Sequence, residues 1–248
     1  MKIFVTGETS SLYRSIDTSF LTNHEVVYSS NVNWRLGSWI QNPDEFDVCI
    51  HFAHSKGNAN ENILGTRILC EQFKNKMIYI SSISAHLDSR SVYASTKYRC
   101  EEIVKLYSGT TISPGVFLIN EVNGLIQFLN RIPRIIPSLL IPFSRTPIGV
   151  THCQDFVEMI SACISSASIQ SGQSLKCYSR VTTIREIRTN NRRHIKSGAL
   201  QTDVCWRLAL RVLRFILPKE TSLIDKMTTI AYPPYWLSLE HVKSKNSK

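Results

Sequence analysis

The chain has 248 residues, 43% hydrophobic and 19% charged, with a net charge of +10. This composition excludes an intrinsically disordered protein and suits one α/β domain with a modest appendage. No apolar run reaches the roughly 18 residues that cross a bilayer. The N-terminus lacks the features of a signal peptide, so we expect a cytoplasmic protein. Seven scattered cysteines without a CxxC pair favour reduced thiols over disulfides or a zinc site.

Strands and helices alternate in the first half of the chain. Residues 1–6 (MKIFVT) form an apolar run that ends at Gly7, which is typical of a buried parallel strand entering a turn. A helix is expected from about Leu12 to Thr22. Further strands are predicted at 25–28, 47–52, 76–81 and 110–112, and further helices at 63–73 and 93–107. The alternation predicts an α/β fold with a doubly wound parallel sheet.

The second half is less regular. Prolines interrupt it at Pro133, Pro137, Pro142 and Pro147. We expect a nucleotide-binding core over residues 1–113 and a small, partly helical substrate-binding subdomain over 114–248, interleaved with the core around 148–180. Open α/β sheets bind ligands at the carboxyl ends of their strands, so the subdomain is expected to cover that edge.

Positive charge is concentrated at the end of the chain. From residue 179 onwards there are 14 Lys and Arg residues against 5 Asp and Glu. This excess indicates either an anionic partner or a solvated basic surface. Residues 206–217 (WRLALRVLRFIL) would form a helix with its arginines on one face. Packing of this helix on its own protein is favoured over peripheral contact with a membrane.

Two further kinds of partner are not predicted. No nucleic-acid-binding motif accompanies the basic residues, so nucleic acid is not an expected partner. His51, His54 and His152 are too dispersed to indicate a metal site.

Seven segments match, in chain order, the patterns of one family. They are residues 1–7 (MKIFVTG), 47–54 (DVCIHFAH, against DVVIHLAA), 61–66 (ENILGT), 79–84 (YISSIS), 93–97 (YASTK, a YxxxK motif), 113–115 (SPG) and 150–155 (VTHCQD). The chain resembles the extended short-chain dehydrogenases, the NAD-dependent epimerase/dehydratase family that acts on nucleotide sugars. The resemblance covers roughly residues 1–190 and implies a Rossmann-type fold.

The resemblance implies a catalytic set of Ser82, Tyr93 and Lys97. Residues four apart share a helix face, so Lys97 is expected beside Tyr93, where its ammonium would lower the tyrosine pKa. By the resemblance, Lys97 would also hydrogen-bond the nicotinamide ribose and Ser82 would orient the substrate. The alternative is an ordinary, partly buried tyrosine with a solvated lysine one turn away.

The glycine turn departs from the family pattern T-G-x-x-G-x-x-G, because residues 6–13 read TGETSSLY. Only Gly7 is retained, and Ser10 and Tyr13 replace the other two glycines. Either the first helix shifts to accommodate Tyr13 or the ring finds its own pocket, and both outcomes would weaken dinucleotide binding. Glu8 adds a negative charge near a site meant for phosphates.

The resemblance implies NAD or NADP as the cofactor. No acid follows the second strand at residues 29–31, where NAD-preferring members carry one, and Arg35 could reach a 2′-phosphate, so the preference stays open. Ser113 stands where the family usually has arginine. The expected cofactor-binding residues are Gly7, Ser10, Ser11, Leu12, Ser30, Phe52, Ala53, Tyr93, Lys97 and Pro114.

The sequence therefore leads to two hypotheses. The first is an NAD(P)-dependent epimerase, dehydratase or reductase that acts on a nucleotide sugar in bacterial surface polysaccharide biosynthesis, with a homodimer as an assembly that the resemblance allows. The second is a degenerate, non-catalytic Rossmann-fold binding or scaffold protein, which the lost glycines motivate.

Overall fold

The computed structural model describes residues 1–55, 57–117, 146–165, 172–183 and 186. Within these ranges a six-stranded sheet has the strand order β2-β1-β3-β4-β5-β8, and every pairing in it is parallel. Its strands are β1 (Lys2–Thr6), β2 (Glu25–Tyr28), β3 (Val48–His51), β4 (Met77–Ile80), β5 (Thr110–Pro114) and β8 (Ser174–Cys177). A second sheet contains β6 (Val116–Phe117), β7 (Pro147–Thr151) and β9 (Arg180–Thr183) in the order β6-β7-β9.

Helices cover both faces of the large sheet. They are α1 (Ser11–Ser15), α2 (Ala59–Phe73), α3 (Val92–Leu106) and α4 (Cys153–Ser165). Successive strand residues point to opposite faces, so Ile3 packs on the side of α1 and α4 while Phe4 packs on the side of α2 and α3. Both side chains are fully buried. The predicted α/β Rossmann-type fold is therefore confirmed.

The strand order reverses at β1. The chain runs outward from β1 to β2 and then returns to β3 on the other side of β1. In doubly wound sheets such a reversal opens a crevice at the carboxyl ends of the two central strands, and ligands bind there. Residues 29–47 make the return with two 3₁₀ turns, Ser29–Val32 and Pro43–Glu45. Among the described strands, β2 lies at one edge of this sheet.

The first helix is much shorter than the sequence predicted. The expected helix from Leu12 to Thr22 is replaced by the five residues of α1 and a 3₁₀ turn at Ser19–Leu21. Side chains compete with the helical hydrogen bonds here: the Asp17 carboxylate accepts from the Ser19 backbone N–H at 2.9 Å and from its hydroxyl at 3.0 Å. The helix consequently ends before Ile16, whose backbone is extended.

The other predicted elements of residues 1–117 lie within four residues of their expected bounds. Helix α2 begins earlier than predicted, because the Asn58 side chain accepts a hydrogen bond from the Glu61 N–H at 3.0 Å and caps it. Most of the predicted subdomain over 114–248, including residues 118–145 and 206–217, lies outside the described residues. In the part of the chain that the structure describes, no helix is long and apolar enough to cross a membrane.

Candidate functional site

The carboxyl edge of the large sheet brings most of the predicted site segments together. Gly7 follows β1, Ser30 lies just beyond β2, Ala53 lies just beyond β3, and Ser82 follows β4. Because all four strands are parallel, these segments lie along one edge. Helix α3, which carries the YxxxK motif, begins near the same edge.

Tyr93 lies in the first turn of α3, beside Ser82. The Ser91 side chain caps this helix by accepting from the Ala94 N–H at 3.0 Å. Tyr93 leaves 38% of its surface exposed, yet burial of its hydroxyl raises the tyrosine pKa, and the hydrogen bond with Ser82 only partly opposes this rise. Tyr93 therefore keeps its proton at neutral pH.

Lys97 is buried one turn further along the same helix, with 4% of its surface exposed. Its ammonium donates to the carbonyl oxygen of Ile80, at the end of β4, at 2.8 Å, and lies 4.7 Å from the centre of the Tyr79 ring. Burial lowers the pKa of Lys97 to about 8.

The expectation that Lys97 lowers the pKa of Tyr93 is wrong for this structure. Desolvation controls the tyrosine and raises its pKa, and Ser82 supplies the opposing hydrogen bond. Lys97 is not among the groups that shift this pKa, and its ammonium is bound to the strand carbonyl of Ile80.

His54 is a neighbour of Tyr93 that the sequence did not single out. Its ring meets the Tyr93 ring edge-on, with 5.2 Å between the ring centres. Burial, followed by the charge of Lys97, lowers the pKa of His54 to about 3, so the ring is neutral. The available signal was the stretch DVCIHFAH, in which this histidine stands where the family pattern has alanine.

The loop that carries His54 is fixed by Asn62 of α2, which lies in the matched segment 61–66 but was assigned no role from the sequence. The Asn62 Oδ1 accepts from the Ser55 N–H at 2.7 Å, and its Nδ2 donates to the Ser55 carbonyl at 2.8 Å. This buried pair of hydrogen bonds holds the backbone that follows β3.

His51 is also buried, but it belongs to the interior. Its two ring nitrogens hydrogen-bond the hydroxyls of Thr6 at 2.6 Å and Thr66 at 3.3 Å. Burial is the main reason that its pKa falls to about 3. His51 thus ties β1 and α2 to β3 as a neutral hydrogen-bonding group.

The retained glycine of the turn allows two predicted cofactor segments to meet. Gly7 has a φ of +77°, and a Cβ at this position would lie 2.3 Å from the Ala53 nitrogen and 2.6 Å from the Phe52 carbonyl carbon. Only glycine fits such a backbone approach. The turn therefore lies directly against the segment that follows β3.

The two lost glycines have structural replacements. The Ser10 hydroxyl accepts from the Tyr13 N–H at 3.2 Å and caps α1. The Tyr13 ring is buried, meets Phe52 edge-on at 5.2 Å, and donates its hydroxyl proton to Tyr28 at 3.0 Å. The sequence left two outcomes open, a shifted first helix or a separate pocket for the Tyr13 ring, and in the structure the ring occupies a buried pocket of its own. Leu12 packs partly on the same core, and Ser11 is exposed.

Glu8 points from the turn towards the end of β2. Its Oε2 accepts from the Ser29 hydroxyl at 2.7 Å, and its Oε1 accepts from the Ser30 N–H at 2.9 Å. Desolvation alone would raise the pKa of Glu8, but these hydrogen bonds outweigh it and lower the pKa. The carboxylate is therefore ionised at neutral pH.

Pro114 joins the same edge through its backbone. Its carbonyl accepts from the Ile83 N–H at 2.8 Å, directly after Ser82. The preceding Ser113 donates its hydroxyl proton to the Glu101 carboxylate at 2.8 Å. Ser113, which takes the place of the family's arginine, is therefore buried against α3.

Comparison with known proteins identifies the fold. No family model matches the sequence, and no curated protein matches it. Solved structures do match: UDP-glucuronic acid 4-epimerase from Bacillus cereus has a TM-score of 0.58 and 15% identity over 75% of this chain and 81% of its own. A dTDP-4-dehydrorhamnose reductase from Clostridium acetobutylicum has a TM-score of 0.58 and 15% identity over 76% and 78%. UDP-glucose 4-epimerase from Thermotoga maritima has a TM-score of 0.55 and 14% identity over 81% and 88%.

These neighbours include NAD-dependent epimerases of the extended short-chain dehydrogenase family, and the chain shares their Rossmann-type fold. The resemblance that the seven sequence segments indicated is confirmed at the level of the fold. The Bacillus cereus structure holds NAD and UDP-glucuronic acid, and the Thermotoga maritima structure holds UDP-glucose.

Proposed function

We propose that this chain is an NAD(P)-dependent enzyme that acts on a nucleotide-linked sugar by epimerisation, dehydration or ketone reduction. The observation that carries the proposal is the placement of Ser82 beside the Tyr93 hydroxyl at the carboxyl edge of the sheet, with Lys97 one turn away on α3. The Ser82 hydroxyl also shares a hydrogen bond with that of Ser84 at 2.9 Å. In a ligand crevice, the Ser82 hydroxyl can bind a sugar oxygen and the protonated Tyr93 beside it can donate a proton to that oxygen. The nucleotide sugars and NAD held by the structural neighbours support the substrate and cofactor class.

The described residues fit a dinucleotide in part. Gly7 keeps the turn free of a side chain and lets it pack against the backbone of Phe52 and Ala53 at the strand reversal. We infer that Gly7, Ser10, Ser30 and Ala53 would hold the adenosine half. Lys97 and Tyr93 would hold the nicotinamide half, where the bound group would exchange a hydride with the sugar.

The protonation states of the chain favour one direction of the chemistry. Tyr93 is protonated at neutral pH, so it can donate a proton to a carbonyl oxygen of the sugar, and burial, which raises its pKa, makes it a weaker acid than an exposed tyrosine. Ser82 would orient that oxygen. His54, which is neutral and lies beside the Tyr93 ring, would line one side of the site without adding charge.

Replacement of Tyr93 tests this proposal. The Tyr93→Phe variant removes only the hydroxyl, so it should lower turnover of UDP-glucose, UDP-glucuronic acid or dTDP-glucose with NAD by about 10²- to 10⁴-fold, while the free energy of unfolding falls by no more than about 1 kcal/mol. Tyr98→Phe on the same helix is the matched control and should keep full turnover. Undiminished turnover of the Tyr93→Phe protein would overturn the mechanism.

A second candidate is a non-catalytic binding or scaffold protein. It is favoured by the glycine turn, because α1 has only five residues and Tyr13 is built into the core. Titration with NADH and NADPH, followed by nicotinamide fluorescence, separates the two candidates. Saturable micromolar binding supports the enzyme, whereas no binding to a folded protein supports the scaffold.

The biological context that we infer for the enzyme is the supply of modified sugars for bacterial surface polysaccharides. The bacterial sources of the three structural neighbours and the nucleotide-sugar chemistry in their names support this inference.

A further inference from the structure

Glu8 occupies a position that joins the glycine turn to the edge strand. Strands β1 and β2 are parallel neighbours, with Val5 opposite Tyr28, so their carboxyl ends lie side by side. Glu8 reaches across this gap, and its two carboxylate oxygens accept from the Ser29 hydroxyl and the Ser30 N–H at 2.7 and 2.9 Å. The carboxylate is therefore fixed at the end of β2, although it comes from the turn after β1.

A carboxylate at the end of the second strand has a known use in Rossmann domains. In NAD-binding domains an Asp or Glu about 20 residues beyond the glycine turn hydrogen-bonds the hydroxyls of the adenosine ribose. Residues 29–31 of this chain (SSN) contain no acid. The only amide side chain among them, Asn31, has its Oδ1 occupied by the Tyr28 N–H at 2.9 Å.

We propose that Glu8 is the ribose-binding carboxylate of this protein and that it selects NAD against NADP. The proposal rests on the proposed function, since it requires a dinucleotide in the crevice. It assigns to the glycine turn a specificity role that the second strand has in other Rossmann domains. It also gives a role to the negative charge of Glu8, which stands in a turn where Rossmann domains bind the phosphates of the dinucleotide.

The hydrogen bonds of Glu8 leave room for a ligand. An ionised carboxylate has about four lone-pair positions. In the structure each oxygen accepts one close hydrogen bond, from the Ser29 hydroxyl and the Ser30 N–H. The backbone N–H of Glu8 and the Ser30 hydroxyl also interact with the carboxylate, and a ribose hydroxyl would take the place of one of these weaker donors.

The same geometry disfavours NADP. A 2′-phosphate would replace one donor hydroxyl with a dianion next to an ionised carboxylate, and like charges at such distances repel. Arg35 lies in the segment after β2 and is exposed to solvent. Because Glu8 is fixed by two hydrogen bonds to the chain, its charge stays at the end of β2 whichever dinucleotide approaches.

The test compares the affinities of the whole protein for NADH and NADPH by nicotinamide fluorescence. The wild-type protein should bind NADH at least tenfold more tightly than NADPH. Glu8→Gln should weaken NADH binding by about tenfold, because it removes a charged acceptor, and should reduce the preference for NADH. Glu25→Gln is the matched control: this exposed acid lies at the opposite end of β2 and should leave both affinities unchanged.

The outcomes separate this inference from the proposed function. If the wild-type and Glu8→Gln proteins bind both dinucleotides with the same preference, the assignment of Glu8 is overturned and the proposed function stands. If the folded wild-type protein binds neither dinucleotide, both are overturned. Glu8→Asp supplies a second variant that keeps the charge but shortens the reach, and it should also lose NADH affinity. Unchanged NADH affinity in Glu8→Asp would count against the assignment.

Discussion

The two ends of the crevice were built in different ways. At the end of β4, the family-like residues Ser82, Tyr93 and Lys97 lie on one strand end and one 15-residue helix with a side-chain cap. At the end of β1, only Gly7 of the three glycines in the family pattern is present. The five-residue helix α1 carries the buried Tyr13 at the position of the third glycine.

The end of the crevice to which we assign the reaction therefore depends on three side chains, Ser82, Tyr93 and Lys97. The end to which we assign the cofactor depends on backbone, and here the side chain of Tyr13 packs beside that backbone.

Restoring the third glycine should have the largest effect on this comparison. Tyr13→Gly would remove a ring packed on Phe52 and Tyr28 and add a flexible residue to α1, so the free energy of unfolding should fall by about 4 kcal/mol. Chemical denaturation measures the change. Tyr13→Phe is the control, since it keeps the ring and loses only the hydrogen bond to Tyr28, at a cost of about 1 kcal/mol. A nearly neutral Tyr13→Gly would show that the turn was not rebuilt into the core.

The next largest expected effect is the contribution of Lys97 to the pH dependence of the free energy of unfolding. Its folded pKa of about 8 lies below the ordinary 10.5, so the buried charge disfavours folding below pH 8, and this penalty is relieved as pH rises from 8 to 10.5. Measured against Lys97→Met, the wild-type protein should therefore gain about 3 kcal/mol of stability over this range.

Denaturation of both proteins at several pH values gives the difference between their free energies of unfolding. The pH dependence of the titratable groups that the two proteins share cancels in this difference. Lys105→Met, on the exposed surface of α3, is the matched control and should show no such trend. A difference that stays flat from pH 7 to 10 would mean that Lys97 is not buried as a cation.

Ser10→Gly should have the smallest effect. Glycine is also accepted at helix N-caps, so the free energy of unfolding should change by only a few tenths of a kcal/mol. Denaturation side by side with Tyr13→Gly would show that one family glycine can be restored at little cost and the other cannot. A loss above 1 kcal/mol for Ser10→Gly would indicate that the serine does more than cap α1.

The sequence predicted the elements of the core because its signals there are local. The apolar run at 1–6 and the β-branched stretch at 25–28 form strands with almost the predicted bounds. The first helix was mispredicted because Ser15 and Asp17 compete for backbone hydrogen bonds, and hydrophobic spacing does not report such competition.

The candidate site was predictable only where sequence spacing sets geometry. Parallel strand ends and a capped helix placed Ser82 beside Tyr93. The spacing of four set the helix face of Lys97 but not the direction of its side chain, which turns to Ile80. The contact of His54 with Tyr93 and that of Glu8 with Ser30 join residues more than 20 positions apart, and one sequence holds no signal for them.

The Tyr13–Tyr28 contact has a consequence for protein engineering. A residue that other dinucleotide-binding proteins keep small so that the first helix packs closely on its strand is here part of an aromatic group with Tyr28 and Phe52. A designer who wished to install the full glycine pattern would have to change all three positions together, because each single step opens a cavity that the others cannot fill. The three positions are thus expected to be coupled, and a combined replacement of Tyr13, Tyr28 and Phe52 should cost less stability than the sum of the three single replacements.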